Sequence, residues 1–280
     1  MAVDVREPVG VVGAGVMGLP VIEHLVAGGF DVVCYDRDPA RVDAAVAAGA
    51  SAAASLREMA ASCSTALIFV PTDADVTAVS VEYIASARRG TTFVVCSSAL
   101  PSTCVAIGAA AKERGVRVLD AALTGGIRGA TDGTINLLAG GSADDLAHVS
   151  PVLQPWTRTI HHLGVLGMGQ VGKTVNNLIH WGQIVVLSEA LSIGARLGVP
   201  VSQMRKALMD GTVDSRTLRE LENMRFTWFE KDIDNALVMA QGESLDIPVG
   251  RFMQRCMRRV TVPGMADLLS DNGTIEFEAG

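Results

Sequence analysis

PVGVVGAGVMGLPVIEHLVAGGFDVVCYD, from Pro8 to Asp36, decides the fold. It opens on a short apolar run, Pro8 to Val12, that reads as a strand. Gly13, Gly15 and Gly18 then form G-x-G-x-x-G around Val16 and Met17, and a helical pattern follows to Ala27. The three glycines differ in what they permit. One allows the tight turn, one lets the backbone approach a pyrophosphate, and one lets the helix lie close to the strand. Amides at the helix start add their dipole to phosphate binding. A second strand, Asp31 to Tyr35, ends in Asp36, which lies 23 residues after Gly13. A carboxylate there accepts hydrogen bonds from the adenosine ribose and repels a 2′-phosphate, so a bound dinucleotide would be NAD. Arg37 leaves NADP open, because an arginine beside the acid can stack on adenine or accommodate that phosphate.

Strands and helices go on alternating. A helix is expected from Pro39 to Ala48, a short strand and helix to Ala61, a strand from Ala66 to Val70 and a helix from Asp75 to Ala87. Next come strands at Thr92 to Cys96 and Val116 to Leu119, with a helix between them beginning near Pro101. In a doubly wound sheet the ligand lies at the carboxyl ends of the strands, which places Val70, Pro71, Ser97 and Ser98 beside the cofactor. The two serines also suit the cap of the Pro101 helix. Asp120 to Thr134, DAALTGGIRGATDGT, reads as a loop in which Thr124, Gly125 and Gly126 could cradle a carboxylate with a hydroxyl and adjacent amides; a flexible connection fits the same residues. A strand Ile135 to Ala139, a helix Ala143 to Leu153 and a strand Thr159 to Leu163 complete this Rossmann-type α/β domain, set at residues 1–166.

After that the strand signal stops. Gly167 to Leu197, GMGQVGKTVNNLIHWGQIVVLSEALSIGARL, has no proline and one formal charge, Lys173, before Glu189. It reads as a single, largely buried interdomain helix, Gly169 to Leu197, spanning roughly 40 Å at about 1.5 Å per residue. Lys173 and Asn177 are four apart and share a face. A lysine among apolar neighbours is a proton donor and acceptor near neutral pH; the same residue could snorkel to water from a helix start. Further helices are expected at Ser202 to Asp210, Arg216 to Met224, Glu230 to Gln241 and Val249 to Arg259, which makes residues 167–280 an all-α domain whose surplus apolar face would be buried by dimerisation.

Composition limits the partners. A net charge of −7 and no basic stripe give no footing for nucleic acid. The first residues show no leader pattern and no segment is expected to span a membrane, so the expectation is a cytoplasmic protein. The five cysteines, Cys34, Cys63, Cys96, Cys104 and Cys256, show no CxxC and no Cys/His spacing, so they read as reduced and buried, with no metal site.

Taken together, GAGVMGLP at Gly13, DAALTGGIRGATDGT at Asp120, GMGQVGKTVNN at Gly167 and EKDIDNAL at Glu230 resemble the β-hydroxyacid dehydrogenase family, in family order and nearly from end to end. That resemblance implies an NAD(P)-dependent oxidoreductase that interconverts a short 3-hydroxy acid and its semialdehyde, with a C-terminal domain of the 6-phosphogluconate dehydrogenase type. Lys173 matches the lysine that exchanges a proton with the substrate hydroxyl, and Asn177 the asparagine that holds the substrate oxygen. Thr124, Gly125 and Gly126 match the segment for the substrate carboxylate, with Ser98 beside it. Val70, Pro71, Ser98 and Lys231 match cofactor contacts.

The chain also departs from the pattern. Thr124 replaces serine, Ala122 stands where proline is usual, Val95 where aspartate is frequent, and the stretch from Gly211 to Lys231 is shorter than in typical members, as is the end at Gly280. Arg128 would favour a substrate with a second anionic group if it faced the pocket, and is otherwise a solvated loop residue. Two alternatives are an imine reductase using NADP, against which Lys173 speaks, and a dinucleotide-binding protein without catalysis.

Overall fold

The computed structural model describes residues 7–276; residues 1–6, read above for a leader, and 277–280 lie outside it. The chain divides into two compact units, with the division between Lys173 and Thr174.

The first unit begins β1 (Val9–Val12), α1 (Gly18–Ala27), β2 (Val32–Tyr35), α2 (Pro39–Ala47), β3 (Ser51–Ala52), α3 (Leu56–Ser62), β4 (Thr65–Ile68) and α4 (Asp73–Ser86). It continues β5 (Thr92–Val95), α5 (Pro101–Arg114), β6 (Arg117–Thr124), α6 (Gly126–Thr131), β7 (Ile135–Gly140), α7 (Ala143–Leu153) and β8 (Thr157–Gly164). The strands form one sheet in the order β3-β2-β1-β4-β5-β6-β7-β8. All neighbours run parallel except β6 and β7. Because β2 lies on one side of β1 and β4 on the other, the order reverses there and opens a crevice at the strands' carboxyl ends.

Period-2 alternation feeds two cores. Val11, Leu67 and Val94 point to the face packed by Val21, Ile22 and Leu25 of α1, while Val12, Ile68, Phe93 and Val95 point to the face packed by Met59, Val76 and Tyr83. Helix starts are capped as their sequences require: Asp38 accepts from Ala40 N ahead of Pro39, and Thr72 from Asp75 N.

Two expectations change here. Asp120 to Thr134 is not a loop: Asp120 to Thr124 pair with Gly140 to Asn136, so β6 runs on to Thr124, and α6 follows at once. Neither Ser97 nor Ser98 caps α5, whose N-cap is Leu100 with no side-chain bond. Asp73 does that work from α4, accepting from Leu100 N at 2.7 Å and from the Thr103 hydroxyl.

The long helix α8 (Met168–Arg196) starts in the first unit and continues into the second, where α9 (Val201–Met209), α10 (Arg216–Arg219), α11 (Phe229–Gly242), α12 (Pro248–Met257) and α13 (Val262–Leu269) follow. Trp181, Ile184, Leu187 and Leu191 of α8 share a core with Leu218, Ile233, Met253, Met257 and Leu268. The helix expected from Arg216 to Met224 breaks after Arg219 into a short 3-10 turn, Leu221–Asn223. α13 was not expected; Pro263 sits in its first turn, where proline starts a helix, and Thr261 caps it.

α8 is less buried than its composition suggests. Val175, Ile179, Val186 and Ile193 are 52–62% exposed, spaced by four, seven and seven residues. By length and composition α8 is also apolar enough to cross a membrane, which corrects the expectation that no segment is. Its buried side is the central helix of the second unit's core.

Candidate active site

The glycine turn after β1 sits at the crevice. Gly13 has φ +94°, donates to Tyr35 O at 2.9 Å, and leaves no room for a side chain against the Phe69 carbonyl. Gly18 is equally confined by the Gly13 carbonyl, which brings α1 close to the strand. Gly15 differs: a Cβ there would meet nothing nearer than the Arg41 guanidinium at 3.4 Å, so its backbone borders open space. Val16 is exposed and Met17 packs on the core. Asp36 is folded onto the turn, its two oxygens accepting from Ala14 N and Asp38 N at 2.9 Å each, with Arg41 at 3.8 Å. Arg37 points outward and pairs with Asp75 at 3.6 Å. An open Gly15 between two confined glycines, beside a carboxylate, fits the adenosine and pyrophosphate of a dinucleotide.

Across the switch point the ends of β4 and β5 are tied together. Val70 N donates to Ser97 Oγ at 2.8 Å, and that hydroxyl donates on to Ile68 O at 3.2 Å, so Ser97 is a structural tie. Ser98 is half-buried beside it and Pro71 is exposed. The first turn of α8 closes the arrangement. Asp120, fully buried, accepts from Gly167 N at 2.6 Å and from Gln170 N at 2.8 Å. Burial pushes its carboxyl above the ordinary 3.8, and the amides of Gly167 and Gln170 draw it back part of the way.

Lys173 comes one turn after Gln170, and its half-buried Nζ donates to Leu123 O at 2.7 Å. Leu123 precedes Thr124, whose hydroxyl donates to Asn136 O at 3.2 Å, and Gly125 and Gly126 adopt φ +117° and +65° to turn the chain into α6. Lys173 and the Thr124 to Gly126 segment therefore meet at the end of β6. Asn177, one turn further along α8, is 9% exposed and accepts from Asn176 Nδ2 at 3.1 Å. Lys231 lies in α11 of the second unit, next to Asp232, which accepts from Trp181 Nε1 at 3.0 Å. Arg128 is an exposed residue of α6 that pairs with Asp132 at 3.5 Å.

Asp120 and Gln170 escaped the reading of the sequence, although an aspartate inside the apolar run LDAAL is a signal of a buried, partnered charge. All five cysteines are buried, and burial raises Cys34 and Cys63 to about 11, so neither is a nucleophile at neutral pH.

Comparison with known proteins agrees with this geometry. Residues 8–167 match the NAD binding domain of 6-phosphogluconate dehydrogenase, and residues 167–271 match the NAD-binding domain of NADP-dependent 3-hydroxyisobutyrate dehydrogenase. An NAD-dependent L-serine dehydrogenase of Pseudomonas aeruginosa is 34% identical over 191 residues, which are 67% of this chain but 64% of that enzyme. A 2-(hydroxymethyl)glutarate dehydrogenase of Eubacterium barkeri is 31% identical over 71% of this chain and 67% of its own. In fold, the chain is similar to a Mycobacterium tuberculosis 3-hydroxyisobutyrate dehydrogenase solved with L-serine, with TM-score 0.82 and 23% identity, covering 97% of this chain and 96% of that one. The chain belongs to the β-hydroxyacid dehydrogenase family, and its first unit is an NAD(P)-binding domain.

Proposed function

We propose that this chain interconverts a short 3-hydroxy acid and its semialdehyde, with Lys173 as proton acceptor in oxidation and donor in reduction. NAD(P), when bound, supplies the hydride carrier. The observation that carries the reading is the placement of Lys173 Nζ, 2.7 Å from the carbonyl of Leu123 and so beside Thr124, Gly125 and Gly126. In oxidation the hydroxyl proton passes to neutral Lys173 as the carbinol hydrogen leaves as hydride; in reduction the ammonium returns the proton to the new alkoxide. The Leu123 carbonyl orients the amine. Asn177, one turn on, holds the substrate oxygen, while the amides of Gly125 and Gly126 take the carboxylate, joined by the Thr124 hydroxyl once it turns from the Asn136 carbonyl to the substrate.

Residues 1–166 serve the cofactor and residues 167–280 the substrate and a second copy, with Lys231 and Ser98 as cofactor contacts. Asp36 favours NAD, because a 2′-phosphate would meet its carboxylate. The exposed row Val175, Ile179, Val186 and Ile193 on α8 supports a homodimer, since apolar residues repeating near 3.5 match a helix–helix seam. The partner is a small hydroxy acid, with no nucleic acid and no membrane, in the cytoplasm.

Hydride transfer with NAD and NADP against a panel of short 3-hydroxy acids and semialdehydes tests this, with Lys173→Ala beside wild type. Loss of about 10²–10⁴-fold in kcat with cofactor binding kept is the expected result. A wild type that binds cofactor and turns over no member of the panel would leave the binding-protein reading.

A further inference from the structure

Gln170 is 1% exposed, and its side-chain amide is spent wholly on backbone groups of another segment. Its Oε1 accepts from Ala99 N at 3.0 Å, and its Nε2 donates to Ser97 O at 2.9 Å. Ser98 lies between those two residues. The loop after β5 is thereby gripped on both sides of Ser98 by one side chain of α8.

The same turn of α8 is gripped from the other side. Gln170 N and Gly167 N both donate to the Asp120 carboxylate on β6, and Gly169 and Gly140 leave no room for a Cβ beside those oxygens. Three residues along β6, Leu123 O receives Lys173 Nζ. The segment before Thr124, the turn carrying Lys173 and the loop carrying Ser98 form one continuous hydrogen-bonded frame. A leucine at position 170 would fill similar space but would strand a buried N–H and a buried carbonyl, each costly to leave unpaired.

We infer that Gln170 is a positioning residue for hydride transfer: it locks the Ser98 loop to the helical turn that carries Lys173, so that the cofactor and the proton-transferring amine keep one separation. This rests on the dehydrogenase reading above. Proton and hydride leave adjacent atoms of one substrate, so a shift of the Ser98 loop relative to Lys173 misaligns one transfer whenever the other is aligned.

The test compares wild type with Gln170→Met and Gln170→Glu, each checked for folding by thermal melts. The readouts are the dissociation constant of NADH from nicotinamide fluorescence, kcat and KM for the best hydroxy acid, and the primary deuterium isotope effect. Gln170→Met should lose about a hundredfold in kcat, show a larger isotope effect, bind NADH more weakly and keep its hydroxy acid KM. Gln170→Glu should be impaired near pH 9, where a carboxylate faces the Ser97 carbonyl. It should recover toward wild type as pH falls, because burial and the facing Ser97 carbonyl raise the introduced carboxyl, and the protonated acid then donates to Ser97 O and accepts from Ala99 N, reproducing the amide. A packing role predicts lowered melting temperatures without that pH-dependent recovery. A folded Gln170→Met with wild-type kcat, isotope effect and NADH affinity overturns the inference, as does a Gln170→Glu deficit that does not change with pH. If wild type binds NADH but turns over no hydroxy acid, the dehydrogenase reading fails, and NADH affinity in the two variants then decides the role of Gln170.

Discussion

From Gly167, just ahead of α8, to Lys173 the chain commits polar groups to hydrogen bonds within the first unit, whereas from Val175 to Ile193 α8 leaves one apolar row open to solvent. Both parts belong to one unbroken helix. The first turn uses directional bonds with fixed partners, which set positions to fractions of an ångström. The remainder uses apolar area, which is non-directional and tolerates exchange of one side chain for another. On the function proposed above, proton transfer by Lys173 belongs to the first part and association to the second.

Breaking that contrast on the association side gives the largest expected change. Val186→Glu combined with Ile193→Glu places two charges in the exposed row and should halve the solution mass seen by light scattering, or reduce it further, with kcat per folded site kept. A monomeric wild type, or a variant of unchanged mass, removes dimerisation as the reason for the row.

The polar side is sharpened by Asp120→Asn. Its amide NH₂ would face the N–H of Gly167 or Gln170, so the variant should lose about 1–3 kcal/mol of stability. The pH dependence has a definite sign. A carboxyl raised above 3.8 by burial binds its proton more tightly in the folded than in the unfolded chain. Its stabilising share is complete below 3.8 and is lost as pH rises through the raised value. The variant cannot titrate there, so thermal melts across that window should show wild type losing ground to it as pH rises. A difference that stays constant with pH would mean that burial does not raise the Asp120 carboxyl.

The smallest effect marks the outer limit of the polar region. Arg128 is exposed on α6 and paired with Asp132, so Arg128→Ala should leave the hydroxy acid KM unchanged within about twofold. A large rise in KM would instead assign this arginine to the substrate and extend the polar site outward.

How much was legible follows the range of the forces involved. Gly13, Gly15, Gly18 and Asp36 could be read from spacing, because a tight turn between strand and helix is a local requirement that few residues meet. The length of α8 was readable for the same reason, having no proline and an apolar period over its whole course. The reach of β6 was not. Ala121 to Leu123 carry no strong strand preference, and they extend only because β7 returns antiparallel beside them. The Leu100 cap supplied by Asp73 was equally hidden, since its donor and acceptor are 27 residues apart.

By itself the sequence determined the alternating sheet domain, the glycine turn with its acid, the helical second half and the pairing of Lys173 with Asn177 on one helix face, all consequences of local periodicity and short-range sterics. Only the tertiary structure decided that Gln170 and Asp120 tie the start of α8 to the loop after β5 and to β6, that Ser97 ties strands instead of capping a helix, and that one row of α8 faces outward. Those facts depend on which buried donors and acceptors meet across 27 to 73 residues of chain, and a hydrogen bond has no preference for partners that are near in sequence.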